Sequence, residues 1–190
     1  MTGTVLYADL SESSYLVNSY EAHFAAEIYK TYLLSAAKII RSEGGVITAY
    51  DGDRVMAVYI GDSENTSAVR TSLKINYAVK NMVNPALKKQ YPNSPYVVEQ
   101  TVGIDTSDLY IARTGIRGSN DLVWVGRAAN YAAKLASLSS NYRTCITVDI
   151  YNNIHDSVKF SNGSAIWTQL SWSQMGGITI YGSTWWWELS

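Results

Sequence analysis

The chain has 190 residues, 47% of them hydrophobic, and a formal net charge of −1. That length and apolar content suit a single folded domain spanning 1–190, and they exclude a disordered segment or a linker. Its 15 Lys and Arg are scattered, which argues against a nucleic-acid polymer as partner, and no apolar stretch approaches the roughly 20 residues that cross a bilayer, so no membrane partner is expected.

Met1-Thr2-Gly3-Thr4 leads into the apolar run Val5-Leu6-Tyr7-Ala8 without a signal-peptide pattern. This predicts a first strand over 4–8 and a cytoplasmic protein. Ser11-Glu12-Ser13-Ser14 then supplies capping side chains for a long helix that ends near residue 40, before Gly44-Gly45. Residues 46–50 and 54–60, rich in β-branched and aromatic side chains, read as a hairpin turning at Asp51-Gly52-Asp53. A second helical region covers 65–90 and is broken by Pro92 and Pro95.

Strands follow at 97–104 and 108–113, then a glycine-bearing loop at 114–120. The remainder reads as a strand at 122–125, a helix at 127–138, a strand at 143–148, and a terminal pair of strands near 177–181 and 184–189. The first six elements run β-α-β-β-α-β. That order predicts an α+β fold with a ferredoxin-like core and a C-terminal extension.

Asp9 ends one strand-like run, and Asp53 lies in the turn of the hairpin. Carboxylates at the polar edge of a sheet stay ionised on a rigid backbone, which suits a divalent cation, although Asp-Gly-Asp is also an ordinary hairpin signal. A third segment, Val123-Trp124-Val125-Gly126-Arg127-Ala128-Ala129-Asn130-Tyr131-Ala132-Ala133-Lys134-Leu135, runs from a strand through a glycine into a helix. It places Asn130 and Lys134 four residues apart on one helical face. Cys145 sits in a strand-like run and reads as a small buried residue, and two histidines, His23 and His155, supply a zinc site or a hydrolytic triad poorly. The tryptophans Trp167, Trp172 and Trp185-Trp186-Trp187 read as sheet cover or subunit interface ahead of a base-stacking platform.

Taken in order, the segments Tyr7-Ala8-Asp9-Leu10-Ser11, Tyr50-Asp51-Gly52-Asp53-Arg54, Val102-Gly103-Ile104-Asp105-Thr106 and Gly126 through Leu135 resemble the motifs of class III nucleotidyl cyclase catalytic domains. The resemblance implies that Asp9 and Asp53, with the Leu10 backbone carbonyl, hold two Mg2+ or Mn2+ ions. It implies that Asn130 orients the ribose and that Lys134 replaces the arginine that stabilises the transferring phosphorus, with Arg127 helping. It also implies a head-to-tail homodimer, because the family draws the aspartates from one subunit and the asparagine from the other.

Three departures refine the expectation. The positions that read a purine are Ala49 and Val123, and Tyr50 stands beside the vacated lysine position, where a smaller base would leave room. This resembles the Pycsar-type pyrimidine cyclases of bacterial antiphage defence, whose cyclic product a responsive effector reads. The resemblance favours UTP, with CTP, ATP or non-catalytic nucleotide binding as alternatives. Finally, no Lys or Arg follows Lys159, so the triphosphate must meet the metals, backbone amides after Asp9, or Arg54, Arg113 and Arg127.

Overall fold

The computed structural model describes residues 1–116, 119–138 and 141–189. In its main sheet β1 (Thr2–Leu10) is flanked antiparallel by β3 (Arg54–Tyr59) and β4 (Gln100–Asp108). β2 (Val46–Asp51) pairs with β3 at one edge, β7 (Thr144–Thr147) runs parallel to β4, and β11 (Ile178–Ser183) and β10 (Thr168–Trp172) complete a sheet ordered β10-β11-β7-β4-β1-β3-β2. The β4-β1-β3-β2 portion, with helices between its strands, is the expected ferredoxin-like core. A second sheet is the hairpin of β5 (Tyr110–Ile116) and β6 (Ser119–Val125), and β8 (Phe160–Ser161) pairs with β9 (Ser164–Ala165).

Strand alternation divides the sheet into two faces. Leu6, Ala8, Leu10, Val55, Ala57, Val102 and Ile104 face the main core, built against α2 (Ala22–Ser42) and α3 (Glu64–Ala78). Val5, Met56 and Val58 face the other way, toward α5 (Arg127–Ala136). Helix α5 buries Ala128, Ala132, Leu135 and Ala136, a run at helical spacing, and these small side chains let it lie close on β4. Gly103 makes the closest approach: a Cβ there would meet the Ala132 carbonyl oxygen at 2.1 Å and the Ala136 nitrogen at 2.4 Å.

Several elements differ from the sequence expectation. The first helix is two, α1 (Ser13–Ser19) and α2, interrupted where Tyr20 turns extended and stacks on Phe24. The second helical region contains a five-residue π segment, Val79–Val83, between α3 and α4 (Asn84–Gln90). The expected loop at 114–120 overlaps β5 and β6, with residues 117 and 118 outside the described part. Helix α6 (Val148–Asn153) begins where the strand was expected to end.

The terminal strand pair is β10 with β11, and the 184–189 stretch forms no strand. It lies instead along α3, where the Trp187 amide donates to the Leu73 carbonyl and the Asn76 amide donates to the Thr184 and Trp185 carbonyls. Trp167 and Trp172 are buried, Trp187 packs against the main core, and Trp185 and Trp186 remain substantially exposed. Cys145 is buried, as expected. Among the described residues no helix is long and apolar enough to cross a membrane.

Because Gly103 touches helix backbone, a side chain there cannot be accommodated by rotamer change. Gly103→Ala should push α5 off β4 and cost about 1–3 kcal/mol, the usual penalty for overpacking, read as a lowered denaturation midpoint. An unchanged midpoint would show that α5 is not seated by this contact.

Candidate active site

Asp9 lies on the α5 face of the central strand, two residues beyond Tyr7, and pairs in register with Arg54 on β3 and Thr101 on β4. Asp53 sits in the two-residue turn joining β2 to β3, where Gly52 takes the positive φ of 60° that the reversal requires. The Leu10 amide donates to the Asp53 carbonyl and ties this turn to the end of β1. Both aspartates therefore stand on backbone fixed by the sheet.

The electrostatics of the pair are unbalanced. Asp9 is 8% exposed, and its Oδ1 has no hydrogen-bond partner. Arg54 Nε lies 3.7 Å from Asp9 and 4.0 Å from Asp53, within ion-pair reach of both but beyond a hydrogen bond. Burial pushes the Asp9 carboxyl up to about 7, against the pull of Arg54 and with further push from Asp53. Tyr32, fully buried, contributes an unpartnered hydroxyl whose proton is held by burial first and by Asp9 and Asp53 next. A carboxylate in this position lacks positive charge, which one guanidinium at 3.7 Å does not supply.

A cavity of about 320 Å3 opens beside the pair, lined among others by Leu10, Ser13, Glu99, Thr101 and Arg143. Among the described residues no cluster of three or more His, Cys, Asp and Glu side chains suits a metal. Two carboxylates are nonetheless enough for Mg2+, which commonly keeps waters and takes further oxygens from a substrate's phosphates. The buried orphan oxygen of Asp9, Asp53 beside it and Leu10 on the cavity wall fit such an ion.

The other predicted residues lie elsewhere. Asn130 and Lys134 are exposed, and Asn130 is two residues and so roughly 200° around α5 from Ala132 on the packed side. Asn130 Nδ2 reaches the Gly126 carbonyl only at 3.5 Å, and Lys134 Nζ lies 3.5 Å from Met175 Sδ. Neither contacts Asp9 or Asp53, so one chain does not bring the two halves of the predicted site together. Val123 is 42% exposed on the β5–β6 hairpin, and Ala49 packs at the margin of the α5 face beside Met56.

Register and pairing place two further expected residues away from the aspartates of their own chain. Tyr50 pairs with Val55, whose side chain enters the main core, so Tyr50 stands on the opposite face from Asp9. A register shift between Ile47 and Ala49 causes this: the extra residue flips the alternation and gives the Asp9 side of the sheet to Ala49. Arg127 is held by Asp105, the Thr106 carbonyl and Asp149, and Asp105 lies four residues up the sheet from the Asp9 level, roughly 13 Å at strand spacing. It anchors the start of α5 and does not reach the aspartate cavity. Arg113 lies on β5 outside the cavity.

The sequence reading missed Arg143. It lies in the cavity wall and donates to Glu99, at the foot of β7. Nothing local marks it, because the parallel pairing of β7 with β4 is what brings it to the wall of the aspartate cavity.

No protein-family model matches the chain. A uridylate cyclase from Xanthomonas perforans is 52% identical over 187 residues, covering 98% of this chain and 80% of that protein. A uridylate cyclase from Burkholderia cepacia is 55% identical over 186 residues, with the same coverage. The chain belongs to this cyclase family.

The solved structures agree on the fold of this nucleotide cyclase. The guanylyl cyclase Cya2 superposes with a TM-score of 0.81 at 16% identity, covering 99% of this chain and 94% of that one. The adenylyl cyclase CyaB from P. aeruginosa gives 0.76 at 21% identity, over 96% and 93%. The fold is thus that of class III nucleotide cyclase domains.

Because burial raises the Asp9 carboxyl to about 7 in the folded cyclase, above its value in the unfolded chain, the metal-free protein should lose stability as pH rises between 4 and 7. In chelator, from pH 5 to 7 the loss from this group should be about 2–3 kcal/mol, at 1.36 kcal/mol per pH unit. Asp9→Asn should flatten that part of the stability profile. An identical slope in the variant would place the proton elsewhere.

Proposed function

We propose that this cyclase converts UTP to 3′,5′-cyclic UMP and pyrophosphate. The observation that carries the reading is the buried, unpartnered Asp9 oxygen beside Asp53 on the wall of a cavity that also holds Arg54 and Arg143. The choice of UTP is supported by relatives named uridylate cyclase at 52% and 55% identity and by the absence of polar side chains at Ala49 and Val123. The same resemblance supports a role for the product as a second messenger in antiphage defence, read by a cyclic-nucleotide-responsive effector.

In this reading Asp9, Asp53 and the Leu10 carbonyl hold two Mg2+ or Mn2+ ions. When bound, the ions acidify the 3′-hydroxyl and neutralise the triphosphate. The O3′–Pα bond forms as the Pα–O bond to the β-phosphate breaks, the hydroxyl proton leaves to solvent, and pyrophosphate departs. Arg143 and Arg54 offer guanidinium groups to the phosphates from one side. Asn130 and Lys134 of a second subunit complete the site, orienting the ribose and meeting the charge that builds on the α-phosphoryl group.

The exposed halves support a homodimer. Asn130 and Lys134 cannot serve their own chain's aspartates. The β5–β6 hairpin, a two-stranded ribbon of a kind marginal in isolation, exposes Tyr110 at 81% and Ile116 at 76%, apolar area that a second copy would cover. Of the matched guanylyl cyclase domains one is described as a non-canonical dimer, one as monomeric, and one carries GTP.

The deciding assay incubates the protein with Mn2+ and each of the four nucleoside triphosphates and identifies cyclic products by mass. Cyclic UMP as the main product is expected. Cyclic AMP alone, or no cyclic product, would sink the reading.

Asp9→Ala and Asp53→Ala should each lower kcat by about 100-fold or more, since each removes a carboxylate proposed to hold the ions. Mixing Asp53→Ala with Asn130→Ala subunits should restore part of the activity through one intact composite site. No recovery after proven subunit exchange would remove the shared-site dimer.

A further inference from the structure

Three tyrosines and two carboxylates, Tyr15, Tyr20 and Tyr96 with Glu12 and Glu99, line a cavity of about 250 Å3 beside the aspartate cavity. Pro95 and Val97 complete much of its wall. A ligand can reach these groups, since Tyr15 is 55% exposed, Val97 59% and the Glu99 side chain 50%.

The Tyr15 and Tyr20 rings meet at 83° with centroids 6.1 Å apart, and those of Tyr20 and Tyr96 at 69° and 5.3 Å. Rings inclined in this way form a corner and not a closed stack. Buried Phe24 backs the corner, stacked on Tyr20 at 5.1 Å and edge-on to Tyr96 at 5.9 Å. The aromatic wall is therefore in place before a ligand arrives, which limits the ordering cost of binding.

The cavity is also negative. Among the described residues no Lys or Arg lines it, and Arg143, which pairs with Glu99, stands in the wall of the aspartate cavity. Burial first, then Tyr20, Tyr29 and the carboxylates of Glu12 and Glu99, push the Tyr96 hydroxyl up to about 12, so the field of both acids reaches that ring. Glu12 holds a left-handed backbone with φ 54°, a conformation uncommon for a residue with a side chain and one that clusters at ligand sites.

An aromatic face attracts a cation through its quadrupole, and a carboxylate accepts from ammonium N–H groups. The same acids would repel the phosphates of a nucleotide. The volume, below the roughly 300 Å3 at which sites for drug-sized molecules begin, suits a shorter chain.

We propose that this cavity binds a small primary alkylammonium ligand. Its ammonium sits between the tyrosine faces and the Glu12 and Glu99 carboxylates, and its methylene stem lies along Pro95 and Val97. Glu99 links the site to the aspartate cavity: an ammonium that takes a share of Glu99 loosens its hold on Arg143 and frees that guanidinium for a triphosphate. This coupling rests on the reading of the aspartate cavity as the triphosphate site; the binding itself does not.

The test titrates the whole chain, in chelator and at low salt where screening is weak, with n-butylammonium, putrescine, n-butanol and uridine by calorimetry. Both amines should bind saturably, and n-butanol and uridine should bind at least about tenfold more weakly. Glu12→Gln should weaken the amines about fivefold and Tyr15→Leu about threefold, as suits a carboxylate and a ring that solvent reaches. Both residues are exposed, so both variants should melt close to wild type, which separates lost binding from lost folding. Tyr15 does not line the aspartate cavity, so its effect separates this site from amine bound at Asp9 and Asp53.

In the metal-loaded protein saturating n-butylammonium should lower the KM for nucleotide at least about twofold, a coupling at the low end of the usual range. Tyr15→Leu should raise the amine concentration that gives half this effect about threefold, with the KM in its absence unchanged. No saturable amine binding, equal binding of n-butanol or uridine, or amine affinities unchanged in both variants would overturn the proposal. Binding without the change in KM would keep the site and remove its coupling to Arg143.

Discussion

A buried carboxyl oxygen without a hydrogen bond is costly, and Asp9 is held that way by a strand paired on both sides. β1 is hydrogen-bonded on both sides, so Asp9 cannot move toward solvent without breaking pairs to Arg54 and Thr101. The sheet therefore maintains a concentration of negative charge that Arg54, at 3.7 Å, only partly offsets. Folding energy from the main core is spent on keeping this site short of positive charge.

The two faces of the sheet divide the work. The helix-covered face carries most of the buried apolar side chains, among them Leu6, Leu10, Tyr32, Leu73 and Ile104. The other face carries α5, seated on Gly103, and presents the polar groups. Packing α5 this way turns Ala132 and Ala136 inward and necessarily turns Asn130 and Lys134 outward. The same contact that fixes the helix thus keeps its polar residues away from the aspartates of its own chain. Arg127 reinforces the arrangement by clamping the helix start to buried Asp105 and to Asp149.

Element types were largely legible in the sequence because they follow local periodicity. The apolar run Val5-Leu6-Tyr7-Ala8, turn chemistry in Asp51-Gly52-Asp53 and the apolar spacing of Ala128, Ala132 and Leu135 are properties of neighbours along the chain. Features that depend on a single inserted residue were not legible. The break at Tyr20, the π segment and the bulge before Ala49 each shift a pattern by about one position, and packing against distant side chains selects them. The C-terminal 184–189 stretch looked like a strand because it is extended and aromatic, but its hydrogen bonds go to α3.

The sequence by itself determined that Asp9 ends a strand, that Asp53 lies in a hairpin turn and that Asn130 and Lys134 share a helical face, since local periodicity and turn chemistry fix those relations. Tertiary structure decided which cations line the aspartate cavity. Parallel pairing of β7 with β4 brings in Arg143, Asp105 and Asp149 withhold Arg127, and one bulge exchanges Tyr50 for Ala49 on the site's side of the sheet. Those outcomes depend on pairing and register between segments far apart in the chain, and a one-residue difference in register reverses them.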